Sequence, residues 1–153
     1  MSPQDNIKDN TLSKLRGTCS ILLGIMVIVT ACQSNTPKPP DPTTVIDKYI
    51  AAIDAHDVEG ALQFVAEDAV YRPEGDEIKG KSEIRKFIED NVAQLVSVER
   101  VGAYKVDGEQ VDWTEHGVFK NPFGQGPNIE VVVNLEAVVR EGKIISLTGM
   151  PAP

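Results

Sequence analysis

Along the last two thirds of the chain, apolar residues fall first at helical spacing and then at strand spacing. Between Thr44 and Ala55, the residues Val45, Ile46, Tyr49, Ile50 and Ile53 form one stripe of the 3.6-residue period. Thr44 and Asp47 have the spacing of a capping box. A shorter helix is predicted with Asp57 as N-cap, presenting Val58, Ala61, Leu62 and Val65. In a third, Ile84, Phe87, Ile88, Val92 and Leu95 line one face and Glu83, Arg85, Lys86, Glu89 and Asp90 the other; Gly80 closes the loop before it and Ser82 lies near its start.

After Val96 the period drops to two. Val111, Trp113, Glu115, Gly117 and Phe119 share one face of a predicted strand, with Asp112, Thr114, His116 and Val118 on the other. The stretch from Asn121 to Asn128 is a turn region, Ile129 to Val139 a long β-branched strand, and Arg140-Glu141-Gly142-Lys143 a tight hairpin leading to Ile144–Thr148. Helices followed by adjacent long strands predict an α+β domain with a curved sheet wrapping its helices, and no helix separates the later strands as a parallel α/β fold requires.

The N-terminal third is patterned differently. Lys14 and Arg16 precede an apolar run from Ile21 to Val29, which ends in Val29-Thr30-Ala31-Cys32. The run is too short for a membrane-spanning helix, which needs about 20 residues, and it has the parts of a secretory signal. Those last four residues resemble the lipobox of bacterial lipoproteins, and the resemblance implies that Cys32 is lipidated and becomes the new N-terminus. The chain then divides into a signal peptide (1–31), the lipidated Cys32 with a Pro-rich tether (32–43), and one domain (44–153). Four prolines in Gln33–Thr43, with almost nothing apolar, make the tether semi-rigid. The implied location is the bacterial cell envelope, outside the cytoplasm, held to a membrane through lipid. Gln33 supplies no acidic cue for retention at an inner membrane.

Cleavage would leave Cys32 alone of two cysteines, so neither a disulfide within the chain nor a thiolate metal site is expected. A formal net charge of -8 argues against a nucleic-acid partner. The two histidines, His56 and His116, are separated, no metal-ligand spacing is present, and there is no nucleophile elbow, P-loop or dinucleotide fingerprint. Neither a metal nor a cofactor is expected.

The run Tyr49-Ile50-Ala51-Ala52-Ile53-Asp54-Ala55-His56-Asp57-Val58-Glu59-Gly60-Ala61 is followed by Phe64, Glu67-Asp68-Ala69-Val70-Tyr71, Gly80-Lys81-Ser82-Glu83-Ile84 and Arg140–Ile144. In that order the chain resembles the nuclear transport factor 2-like superfamily, especially its SnoaL-like branch, over 44 to 150. The resemblance implies a cone-shaped α+β barrel, with N-terminal helices packed in a strongly curved antiparallel or mixed sheet around an apolar pocket, and a homodimer as one assembly. It leaves the reaction open, because the family includes cyclases, isomerases, epoxide hydrolases and domains without known catalysis.

A tyrosine matching Tyr49 donates to the oxyanion in ketosteroid isomerases. That family's carboxylate base falls nearest to Pro73 here, and its second donor close to Val132, so steroid isomerase activity is not expected. Asn134 and Glu136 share a mostly apolar strand face with Val132 and Val138, and a carboxylate in such a setting can titrate near neutrality. His116 is the better placed histidine for proton transfer, whereas His56 reads as a capping or solvated residue. The expected function is a membrane-anchored domain binding a small apolar or amphipathic molecule, or an interaction module. Its ligand-binding candidates are Tyr49, Tyr71, Trp113, Asn134 and Glu136. The alternative is a cyclase, isomerase or hydratase using Tyr49 with Glu136 or His116.

Overall fold

The computed structural model describes residues 40–153; the predicted signal peptide, Cys32 and the tether through residue 39 lie outside the described residues. The first helix, α1 (Pro42–Asp54), starts two residues before the predicted Thr44. Its N-cap is Asp41, whose carboxylate accepts from the Thr43 amide at 2.9 Å, and proline fits the first turn because it has no N–H to leave unpaired. The Thr44–Asp47 capping box is thus displaced by a better start just upstream. Val45, Ile46, Tyr49 and Ile50 are the buried stripe of α1, as their spacing predicts. The helix ends where His56 takes a left-handed backbone (φ 57°), placing Nε2 3.1 Å from the Leu95 carbonyl oxygen.

Helix α2 (Val58–Leu62) is capped by Asp57, which accepts from the Gly60 amide at 2.8 Å. Strands β1 (Val65–Pro73) and β2 (Ile78–Lys79) precede α3 (Lys81–Gln94), which buries Ile84, Ile88 and Val92. Four long strands follow: β3 (Leu95–Asp107), β4 (Gln110–Phe119), β5 (Ile129–Arg140) and β6 (Lys143–Pro151). The Glu141–Gly142 turn joins β5 to β6, both residues having positive φ as a tight hairpin requires.

All strands belong to one six-stranded sheet in the order β2-β1-β6-β5-β4-β3. It is mixed, because β1 pairs parallel to β6 while every other pairing is antiparallel. The α+β class stands, but the cone-shaped barrel and the strongly curved sheet are corrected. β2 and β3 end the sheet on opposite sides and do not pair, so it remains open rather than closed or strongly curled.

The helices cover one face of this sheet, and the core lies between them: Ile46 and Ile50 from α1, Leu62, Ile84 and Ile88, against Val111, Trp113, Ala137 and Ile144. Because β4 and β5 are in continuous register from Gln110↔Val138 to Phe119↔Ile129, residues facing each other across them share a face. Trp113, Glu115 and Gly117 therefore point to the helices with Leu135, Val133 and Val131. His116, Thr114 and Asp112 point outward with Val132, Asn134 and Glu136.

Candidate functional site

Between the helices and the inner face of the sheet is a cavity of about 750 Å³, the size of a pocket for a drug-sized molecule. Ile50 and Ile53 of α1, Phe87 and Ile88 of α3, and Val133 and Leu135 of β5 supply apolar wall. Two glycines leave room around it. A side chain at Gly117 would meet the ring of Phe119, itself a wall residue, at 2.9 Å. At Gly149 a Cβ would make ordinary contact, 3.5 Å from Val133 and 3.7 Å from Leu135, so glycine there keeps the wall low.

Three polar side chains converge on this apolar space: Tyr49 from α1, Tyr71 from β1 and Glu115 from β4. Alternation along β4 places Trp113 two residues before Glu115 on the same face, and its indole N–H donates to Glu115 Oε1 at 2.8 Å. Glu115 Oε2 has no protein donor among the described residues. Burial pushes the carboxyl of Glu115 above its ordinary range, partly offset by the indole bond.

Both phenols are also pushed up, first by burial, and both feel the Glu115 charge. Tyr71 is 1% exposed, and its hydroxyl is the one fully buried side-chain polar atom among the described residues without a hydrogen-bond partner. Tyr49 and Tyr71 lie close enough for a side-chain hydrogen bond between them to shift both titrations, yet the pair misses the stricter hydrogen-bond geometry, which leaves the Tyr71 hydroxyl without a well-formed partner. A buried hydroxyl without a partner is uncommon, because its desolvation is uncompensated.

Trp113 is itself fixed from behind. Tyr104 of β3 meets it edge-on with centroids 6.2 Å apart, and the Tyr104 hydroxyl donates to Asp47 of α1 at 2.7 Å. Arg100 lies directly across from Glu115 in the β3–β4 register. Its guanidinium nevertheless stacks 4.3 Å over the Tyr104 ring, lies 3.7 Å from Asp47 and donates to the Gly102 carbonyl.

The sequence candidates separate by face. Tyr49 and Tyr71 line the cavity, and Trp113 stands behind it as the holder of Glu115. Asn134 and Glu136 are exposed on the opposite face, so the expected pocket positions are corrected; Asn134 there accepts from Thr114 at 2.8 Å. His116 shares that outer face, between Glu130 at 3.3 Å and Glu99 at 3.7 Å, and does not meet Tyr49. Glu115 is the residue passed over. Its signal was present in the shared face with Trp113, but nothing in the pattern says which face of β4 turns inward. Among the described residues no group of His, Cys, Asp and Glu has the arrangement of a metal site.

A family model described as a SnoaL-like domain matches residues 46–147. Comparison with curated protein sequences gives no match. Among solved structures, TerC co-crystallised with polyporic acid superposes with a TM-score of 0.62 at 15% identity, covering 72% of this chain and 91% of that one. An uncharacterised cystatin-fold protein from Novosphingobium aromaticivorans gives 0.62 at 18% identity, over 72% of this chain and 98% of that one. An NTF2-like protein of unknown function from Cytophaga hutchinsonii gives 0.60 at 13%, over 76% and 95%. At these identities the likeness is one of fold.

Proposed function

The chain belongs to the SnoaL-like domain family of the nuclear transport factor 2-like superfamily, and on that premise we propose that its cavity holds a small, amphipathic organic molecule. The observation that carries this reading is the convergence of Tyr49, Tyr71 and Glu115 on the apolar interior of a cavity whose charged residues otherwise lie toward its rim, with the Tyr71 hydroxyl lacking a well-formed protein partner. Apolar walls supply affinity through burial, and a few placed polar groups fix orientation. TerC, crystallised with polyporic acid, is an instance of the fold in company with an organic ligand.

The N-terminal sequence supports a location outside the cytoplasm. The Val29-Thr30-Ala31-Cys32 sequence supports lipidation at Cys32, and the Pro-rich stretch after it supports a spacer between the membrane and the domain. A Cys32→Ser variant should lose incorporation of an alkyne-tagged fatty acid and leave the membrane fraction; unchanged labelling would refute the anchor without touching the cavity.

A neutral apolar dye, N-phenyl-1-naphthylamine, tests the cavity. One dye should bind per chain, Gly149→Ala should preserve it, and Gly149→Leu, which puts a branched side chain over Val133 and Leu135, should abolish it. Dye binding indifferent to Gly149→Leu would contradict the assignment.

A second reading is favoured by the raised carboxyl beside two neutral phenols. Glu115 would move a proton while Tyr49 or Tyr71 donates to a developing oxyanion, as in an isomerisation, cyclisation or hydration. This replaces Glu136 and His116, which the sheet holds on the wrong face. In that case Glu115→Gln keeps the bound molecule but stops its conversion.

A further inference from the structure

Among the described residues the cavity is acidic inside and at its rim, and the two basic side chains of its wall already have partners. Of the wall residues that carry charge, Glu115 is interior, while Glu74, Asp76 and Asp90 are exposed at the edge. Those three rim carboxylates make no ion pair among the described residues. The two basic wall residues are Arg72 and Lys120. Arg72 is held by Glu77 at 2.8 Å, and Lys120 donates to the Ala93 carbonyl at 3.3 Å.

We propose that the cavity selects amphipathic molecules carrying a protonated amine, with Glu115 Oε2 receiving the ammonium and the rim carboxylates steering it inward. This rests on the reading of the cavity as a binding site and adds the chemical class. Three features point the same way. Trp113 fixes Glu115 Oε1 and leaves Oε2 without a protein donor. The wall includes the aromatic residues Tyr49, Tyr71 and Phe87, and an aromatic ring attracts a cation placed over its face. The orphan Tyr71 hydroxyl supplies an acceptor as well as a donor. The competing counter-charge is Arg100, opposite Glu115 on β3, and its contacts with Asp47, Tyr104 and Gly102 keep it occupied elsewhere. An anion placed at the same point would meet a carboxylate in a setting of weak screening, an unfavourable contact.

Decylamine, decanol and decanoate share one apolar body and differ in the head group. Full-length protein is titrated with each at neutral pH, read by calorimetry and by the emission of Trp113, the chain's single tryptophan. Decylamine should bind about tenfold more tightly than decanol, the scale of a hydrogen bond to a charged group, with decanoate weakest. Glu115→Gln, which keeps an acceptor for the indole, should erase the amine advantage, so that decylamine binds the variant no more tightly than decanol binds it. Equal binding of amine and alcohol, or a preference that survives Glu115→Gln, would overturn the proposal while the cavity reading stands. Failure of all three to bind would overturn both.

The wild-type protein gives the same test without a variant. As pH falls and Glu115 takes up a proton, the amine preference should fade while decanol binding holds. The groups around Glu115 are Trp113 on β4, the two phenols from α1 and β1, Arg100 on β3 and, at the rim, Asp90 from α3; β5 presents Val131, Val133 and Leu135. Both phenols are pushed upward and stay neutral through the acid range. A preference that stays flat to low pH would overturn the assignment to a carboxylate.

Discussion

Glu115 is placed in the cavity by the two-residue repeat of β4 and held there by one indole N–H. Burial opposes its ionisation, so its native pKa lies above the unfolded one. The sign of the linkage follows. The contribution to stability is complete below the unfolded carboxylate value and is lost as pH rises through the native one. Glu115→Gln, neutral at every pH, should therefore melt higher than wild type at neutral pH, and the gap should close as pH falls; a gap constant in pH would contradict a strained carboxylate. Tyr71 makes a parallel case. Tyr71→Phe deletes a buried hydroxyl that the protein leaves unsatisfied, so the empty protein should gain about 1 kcal/mol in denaturant unfolding. If the hydroxyl serves a ligand, the same variant should bind decylamine less tightly. A loss of stability instead would mean that the hydroxyl is satisfied within the fold.

Among the elements, the helices were the most readable. Their stripes pick out Val45, Ile46, Tyr49 and Ile50 in α1 and Ile84, Ile88 and Val92 in α3 without reference to packing, because an amphipathic period has only one face to bury. Asp57 was legible as the cap of α2 for a similar local reason: only a side-chain oxygen at that point can reach the Gly60 amide. Asp57→Ala should cost about 1 kcal/mol in chemical denaturation, a loss that Asp57→Ser restores in large part; no loss would show that α2 is held by packing alone. The start of α1 differs from the predicted one because Asp41 with Pro42 and Thr44 with Asp47 are both good openings, and only one can be used. Strand faces were harder. Along β5 both faces are rich in valine, so alternation separated Val133 from Asn134 without saying which turned inward. Glu136 and Asn134 looked like polar groups in an apolar setting for that reason, whereas they are exposed on the outer face.

At the scale of the molecule, local pattern carries little about closure. That β1 lies parallel to β6, pairing Val65 with Ile144 and Pro73 with Gly149, and that β2 and β3 end the sheet unpaired with each other, are matters of pairing between distant segments. No period in either strand reports them, and the expected barrel came from the family resemblance rather than from the residues. The surface charges are similarly uninformative about the fold. Glu59–Arg85, Glu77–Arg72 and Glu109–Arg140 all join exposed partners, and such pairs contribute little each. What the whole molecule does establish is a sheet covered on one side by helices, with a cavity between the layers and polar groups from α1, β1 and β4 brought together inside it. Native mass spectrometry of the full-length protein isolated from its own cells tests that account most directly. The account predicts a basic organic molecule that leaves when the protein unfolds and whose retention is lost in Gly149→Leu; a protein mass without adduct, or an adduct that Gly149→Leu retains undiminished, would contradict it.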